Sequence, residues 1–180
     1  MTGRLIAVVG PSGVGKDSLM AELVTAMPTL QLVRRTITRP AGQSGEDYDA
    51  LLPHAFVAEA AAGAFALHWE AHGLTYGIPV DALRDVHAGK DCLANLSRGA
   101  LARAAEAFPA LIVLNITAHP DVLAARLKAR GRETTEGITN RLSQAEKPLP
   151  DSLDVITLSN DGPLDATVRA AIAALQPERV

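Results

Sequence analysis

An apolar run, a glycine loop ending in lysine and a helical run follow one another within the first 27 residues, and few folds accept that order. Leu5-Ile6-Ala7-Val8-Val9 is continuously apolar and partly β-branched, the pattern of a strand buried on both faces. Gly10-Pro11-Ser12-Gly13-Val14-Gly15-Lys16-Asp17-Ser18 follows. Leu19, Met20, Leu23, Val24 and Met27 then recur at helical spacing until Pro28 stops the pattern. Strand, glycine loop and helix are the context that the P-loop pattern G-x-x-x-x-G-K-[ST] demands. Glycines let the backbone turn and approach a ligand with no Cβ in the way. Successive N–H groups then cradle phosphate oxygens, and the positive end of the following helix adds to the field. Lys16 supplies a charge for the β- and γ-phosphates of a nucleotide.

One position departs from the pattern. Asp17 stands where Ser or Thr would place its hydroxyl on Mg²⁺, and Ser18 comes next. A carboxylate is a hard oxygen ligand, so Asp17 is read as holding Mg²⁺ directly or through water, with Ser18 in a shifted register as the other ligand to consider. Asp17 also suits a helix N-terminus on electrostatic grounds alone.

The 180 residues suit one domain with a core of its own. Aromatics make up only 3%, so Ala, Leu, Val and Ile must fill that core. A net charge of −3 gives no global pull toward nucleic acid or membrane. The lone Cys92 forms no intramolecular disulfide and reads as a small buried hydrophobe. The sequence shows neither a signal-peptide pattern nor a run of 18 apolar residues, and the expected compartment is the cytoplasm.

Further along, Leu30 to Val33 reads as a short strand. Arg34, Arg35 and Arg39 enter a polar, glycine-containing loop over 41–48. Beside a P-loop, arginines that match phosphate bidentately suggest a second anion site, against the plainer reading of a surface charge cluster. Pro53 to Gly63 reads as a helix anchored by Phe56 and Val57, and Ala64 to Trp69 as a strand. Residues 70–79 read as a turn into a strand stopped by Pro79, and Asp81 to Ala88 as a helix closed by Gly89. Asp91 to Leu96 and Leu111 to Ile116 read as buried strands, with Ser97 capping the helix after the first. His119 to Arg130 reads as a helix starting at Pro120. Its apolar arc of Val122, Leu123 and Leu127 also carries Arg126 and Arg130, which there need anionic partners. A polar connection, an Arg141-bearing helix over Ile138 to Ala145, a strand over Val155 to Leu158 and a closing helix complete the chain. Strands alternating with helices imply an α/β, three-layer fold with a mainly parallel sheet and a ligand at the strand C-termini. Two stretches interrupt it: a lobe inserted over about 34–80, read as binding an acceptor, and an arginine-bearing lid over about 126–145.

These residues resemble the guanylate-kinase-like nucleotide kinases over nearly the whole chain. The likeness runs through the P-loop, Thr38-Arg39, Asp47-Tyr48, Tyr76-Gly77, Arg126-Leu127-x-x-Arg130-Gly131, Ile138-x-x-Arg141-Leu142 and Asn160-Asp161. The resemblance implies that Arg39, Tyr48 and Tyr76 hold the acceptor's phosphate. It implies that Arg130 and Arg141 clamp the moving phosphoryl group, with Arg126 and Arg132 nearby, and that Asn160 lies near adenine. The contacts that read guanine in that family are absent: Arg35 stands in place of a serine, and His68 precedes Trp69 in place of a glutamate. The aspartate expected on the strand over 91–96 is replaced, with Asn95 the nearest polar residue.

Gly15-Lys16-Asp17-Ser18, Ile37-Thr38-Arg39, Ala71-His72-Gly73-Leu74-Thr75-Tyr76-Gly77, Asn95-Leu96-Ser97-Arg98 and Arg130-Gly131-Arg132-Glu133 together resemble one branch, the ribose 1,5-bisphosphate phosphokinases of phosphonate degradation. That resemblance implies ATP as phosphoryl donor with Mg²⁺, and ribose 1,5-bisphosphate as acceptor. The ribose 5-phosphate would fill the former base pocket, with Arg35 as first ligand and Arg98, His68 and His72 behind it. A GMP kinase, a non-catalytic guanylate-kinase-like binding module and a kinase for another phosphorylated sugar are the competing readings. The sequence leaves a homodimer open.

Overall fold

The computed structural model describes residues 2–43, 45–131, 134, 136, 137, 139 and 148–176. Arg132, Arg141 and much of the lid expected over 126–145 lie outside the described residues.

The apolar runs become one parallel sheet. Strand β1 (Leu5–Val9) is wholly buried and central. It pairs with β7 (Cys92–Asn95) on one side and β8 (Leu111–Thr117) on the other. β2 (Gln31–Leu32) extends the sheet beyond β7, and β9 (Asp154–Ser159) extends it beyond β8. The order is β2-β7-β1-β8-β9, every pair parallel. Side chains alternate across a strand, so the sheet feeds two cores. Ile6, Val8, Leu114 and Ile116 pack on α1 (Lys16–Ala26) and the closing helix α6 (Leu164–Leu175) through Leu19, Met20, Leu23, Val168, Ala171 and Leu175. Leu5, Ala7, Val9 and Val113 face α3 (Val80–His87) and α4 (Leu101–Ala107) through Val86, Leu101 and Ala104, with Phe108.

The stretch 34–80 holds a second sheet of its own. β3 (Thr36–Ile37) lies between β4 (Asp49–Ala50) and β6 (Leu74–Pro79), and β5 (Phe65–Ala71) pairs with β6. Its inner face sends Ile37, Leu67, Trp69, Tyr76 and Ile78 into the α3–α4 core, which fixes this sheet over the C-terminal ends of β1 and β7. The β5–β6 turn is tighter than the sequence suggests. Ala71 pairs with Leu74, so Glu70 and Ala71 belong to β5 and the loop is His72-Gly73 alone. Both residues have positive φ, 53° and 72°, as a two-residue hairpin of matching twist requires.

Two local expectations are corrected. In α2 (Pro53–Ala61) Phe56 is buried and stacks on Phe65, but Val57 is 68% exposed and anchors nothing. Ser97 caps no helix: its Oγ accepts a hydrogen bond from Trp69 Nε1 at 2.9 Å, and a 3₁₀ turn, Arg98–Ala100, leads into α4. α5 (Pro120–Ala129) starts where Pro120 places it, with His119 Nδ1 accepting from the Asp121 N–H. No helix among the described residues is long and apolar enough to cross a membrane.

Cys92 is fully buried on β7, and desolvation, with Asp85 and Asp91 adding to it, pushes its thiol from 9.0 up to about 11. Labelling of native protein by a disulfide reagent at pH 8 is therefore expected to run ~100-fold or more slower than for an unfolded control. Labelling at the control rate would contradict this packing.

Candidate active site

Val14 is where the loop after β1 is fastened. Its carbonyl accepts from Asn160 Nδ2 at 2.8 Å and from an Arg126 guanidinium nitrogen at 3.3 Å. A second Arg126 nitrogen donates to Asn160 O at 2.8 Å, and Asn160 Oδ1 accepts from Thr167. The Val14–Gly15 peptide is trans, so the Gly15 N–H points away from this anchor, toward the cavity that Gly15 lines. Gly15 has φ 97°, and a Cβ there would lie 2.8 Å from Asn160 Nδ2. Backbone freedom and close approach both require glycine. Arg126 and Asn160, expected at the nucleotide, thus stand behind the loop, and neither lines the cavity. The hydrogen-bond partners of Arg126 are carbonyl oxygens, with the Asp161 carboxylate near enough to feel its charge.

The cavity in front of the loop measures about 1270 Å³. A pocket for one small ligand usually spans roughly 300–1,000 Å³, so there is room for a nucleotide and a second phosphorylated molecule. One wall is Gly10, Pro11, Ser12, Gly13, Gly15, Lys16, Asp17 and Ser18. Lys16 Nζ donates to Gly10 O at 2.8 Å and Pro11 O at 3.2 Å. Burial, with Arg35 and Arg130 adding to it and Asp17 and Glu46 opposing, lowers its pKa from 10.5 to about 8. Asp17 is exposed in the first turn of α1 and accepts from Asn95 Nδ2 at 3.4 Å, across from β1 at the end of β7. Arg130, just past α5, also lines the cavity.

The second sheet supplies the facing wall. Arg39 reaches the Tyr76 hydroxyl at 3.5 Å, lies 5.3 Å over the Tyr48 ring and sits 3.9 Å from Glu46. Arg39 and Tyr76 line the cavity; Tyr48 does not, and its hydroxyl donates to Pro40 O at 2.5 Å. Arg35 is buried, and its guanidinium donates to Glu46 through Nε at 2.9 Å and through Nη2, and to Asn95 O at 3.1 Å. Its flat face lies 5.0 Å from the Tyr76 ring centre. Arg34 points elsewhere, pairing with Asp47 and Asp49, so the three arginines do not form one anion site. Arg98, from the 3₁₀ turn, donates to Asn115 and borders the cavity, as do His72 and Arg103. His68 turns away, its ring 6.2 Å edge-on from Phe56.

A family model described as guanylate kinase matches residues 2–176. The ribose 1,5-bisphosphate phosphokinase PhnN of Ruegeria sp. is 48% identical over 98% of this chain and 94% of its own length. The protein of the same name from Pseudomonas paraeruginosa is 46% identical over 99% of this chain and 98% of its own. The chain belongs to the guanylate kinase family, in the branch of these relatives. A crystal structure of guanylate kinase from Anaplasma phagocytophilum, 18% identical, superposes with a TM-score of 0.71 over 99% of this chain and 86% of that one. The shared fold is therefore that of the guanylate kinases, with a mainly parallel sheet between helical layers, as the alternation of the sequence implies.

Against the family pattern, sequence reasoning missed several residues of the cavity, Glu46 and Arg103 among them. Glu46 lies between Arg35 and Arg39, and its only signal was a carboxylate in the loop that those arginines enter. Arg103 had no signal, because on a helix read from its apolar positions a solvent-side arginine is ordinary.

The lowered pKa of Lys16 gives a direct test. A phosphate placed at Nζ restores the charged form, so above pH 8 binding must take up a proton. Calorimetry of ATP binding at pH 8.5 in buffers of different ionisation enthalpy should show that uptake, with affinity falling as pH rises toward 10. Lys16→Met should abolish both effects. Binding at pH 8.5 without proton uptake would contradict the buried setting of Lys16.

Proposed function

We propose that the protein transfers the γ-phosphoryl group of ATP to the 1-phosphate of ribose 1,5-bisphosphate, giving 5-phospho-α-D-ribose 1-diphosphate, the reaction for which its relatives are named. The observation that carries this reading is a single cavity joining the P-loop wall of Lys16 to a facing wall of Arg39 and Tyr76. Such a cavity brings two phosphate groups together. By the family resemblance Arg35 replaces a serine that reads guanine, and its pairing with Glu46 and stacking on Tyr76 offer no such contact to a base, which supports a sugar over a guanine as acceptor.

The acceptor phosphate is ionised near pH 7, so no strong base is needed, and catalysis rests on positioning and charge. The second sheet acts as the acceptor lobe. Arg39 and Tyr76 aim an oxygen of the 1-phosphate at the γ-phosphorus, and Tyr48 holds Arg39 in place through its ring. A bond forms between that oxygen and the γ-phosphorus as the bond to the β,γ-bridging oxygen breaks. Lys16 and Arg130 take up the charge on the moving group. Arg141 and Arg132, outside the described residues, would act with them as a lid.

The start of α1 fits a divalent cation: the Asp17 carboxylate and the Ser18 hydroxyl are hard oxygen donors that both line the cavity, and the Asn95 amide steadies Asp17 by donating to its carboxylate. Asp17 and Ser18 would hold Mg²⁺ there, and the ion would supply positive charge to offset that of the nucleotide's phosphates. In most P-loop enzymes the P-loop gives a hydroxyl and a strand end gives the aspartate. Here the carboxylate has moved to the P-loop and the strand end carries the amide.

Asp17→Ser should weaken Mn²⁺ binding to the protein–ATP complex, read by electron paramagnetic resonance, about tenfold, and adding Asn95→Asp should restore most of it. Unchanged Mn²⁺ affinity in the single variant would remove Asp17 from the metal. For the reaction itself, ADP release should show kcat/KM on the order of 100-fold or more higher for ribose 1,5-bisphosphate than for GMP. Arg39→Ala should raise the acceptor KM about tenfold and leave the ATP KM unchanged. Preference for GMP would overturn the proposal.

A further inference from the structure

An acceptor with phosphates at both ends needs two anion sites, and the cavity contains a cation that the reaction as described does not use. Six cationic side chains line it: Lys16, Arg35, Arg39, Arg98, Arg103 and Arg130. Lys16 belongs to the P-loop, Arg130 flanks it, and Arg39 is bonded to Tyr76. Arg35, expected from the sequence to hold the far phosphate, has its edge taken by Glu46 and the Asn95 carbonyl and its face by Tyr76. A phosphate could bind there only by displacing the half-buried Glu46 carboxylate and leaving the buried Arg35 to re-pair, at a cost.

Arg103 is different. It makes no hydrogen bond or ion pair with any described residue, and its side chain stands exposed on the cavity rim. Its backbone is nonetheless fixed, because Leu101 and Ala104 on either side of it in α4 are fully buried. Arg98 enters the same cavity from the turn that leads into α4, with one nitrogen steadied by Asn115 Oδ1 at 3.1 Å. Gly99, next to Arg98 in the chain, also lines the cavity, and a Cβ there would meet nothing within 4 Å. The Trp69–Ser97 hydrogen bond ties this segment to the β5–β6 hairpin, which forms the neighbouring wall.

The geometry points to Arg103, supported by Arg98, as the site that holds the 5-phosphate of the acceptor and selects a bisphosphorylated sugar. This rests on the proposed ribose bisphosphate reaction and adds the residue that reads its second phosphate. Arg103 contacts substrate but not the reacting atoms, so its removal is expected to act on binding of one phosphate group alone.

The test crosses protein with ligand. Wild type, Arg103→Ala and Arg103→Lys are assayed with ribose 1,5-bisphosphate and with ribose 1-phosphate, which lacks the second phosphate. Binding is followed in parallel by the fluorescence of Trp69, the only tryptophan in the chain and a residue of the cavity wall. Arg103→Ala should lower kcat/KM and affinity for the bisphosphate about tenfold or more, with Arg103→Lys in between. The ribose 1-phosphate rate and the ATP KM should not change. An equal loss on both acceptors, or no loss on either, would overturn the role of Arg103 while leaving the reaction standing. A wild-type protein that binds and turns over neither sugar would sink the reaction itself, and this site with it.

Discussion

The Val14 carbonyl is the point on which the site depends. A P-loop works only if its N–H groups face the phosphates, and a free glycine-rich chain has no reason to choose that side. Here the opposite side is nailed down by Asn160 and Arg126, from two elements distant in sequence, α5 and the end of β9. Asn160 is itself held by Thr167 at the start of α6. The last third of the chain thus sets the shape of a loop near its beginning, and the parallel order β1-β8-β9 is what brings those parts together.

The electrostatics of the cavity run against those of the chain. The net charge is −3, yet the cavity gathers six Lys and Arg side chains against three carboxylates, Asp17, Glu46 and Glu70. A local positive field of that kind attracts phosphates although the molecule as a whole repels them. It also carries a cost, visible in the lowered pKa of Lys16, where burial dominates and Arg35 and Arg130 contribute. Glu46 eases that cost. By pairing with Arg35 it lets a buried guanidinium stiffen the facing wall without adding its full charge to an already cationic site.

What the sequence makes legible follows from how local each signal is. β1, the P-loop and α1 are read from contiguous residues whose periodicity and glycine spacing leave one solution. β7, β8 and α6 follow from apolar runs in the same way. Partnerships across the chain were not legible. Arg126 lies on an inward arc, which implies an anionic partner, and no one-dimensional pattern can say that its hydrogen bonds go to the Val14 and Asn160 carbonyls. Arg35 looked like a ligand for phosphate because nothing in the sequence shows Glu46 folding back onto it. Val57 looked like core because apolarity alone does not say which face of α2 meets the sheet. Ser97 had the chemistry of a cap and was claimed by a tryptophan.

In the proposed reaction this cavity joins two phosphates, one on a nucleotide and one on C1 of a ribose. The most direct measurement is phosphorus NMR of the purified protein with Mg·ATP and an equimolar mixture of ribose 1,5-bisphosphate and GMP. The ATP γ-signal should be lost together with the appearance of a new diphosphate on C1 of ribose 5-phosphate, while GMP persists. Formation of GDP with the sugar bisphosphate left intact would contradict it.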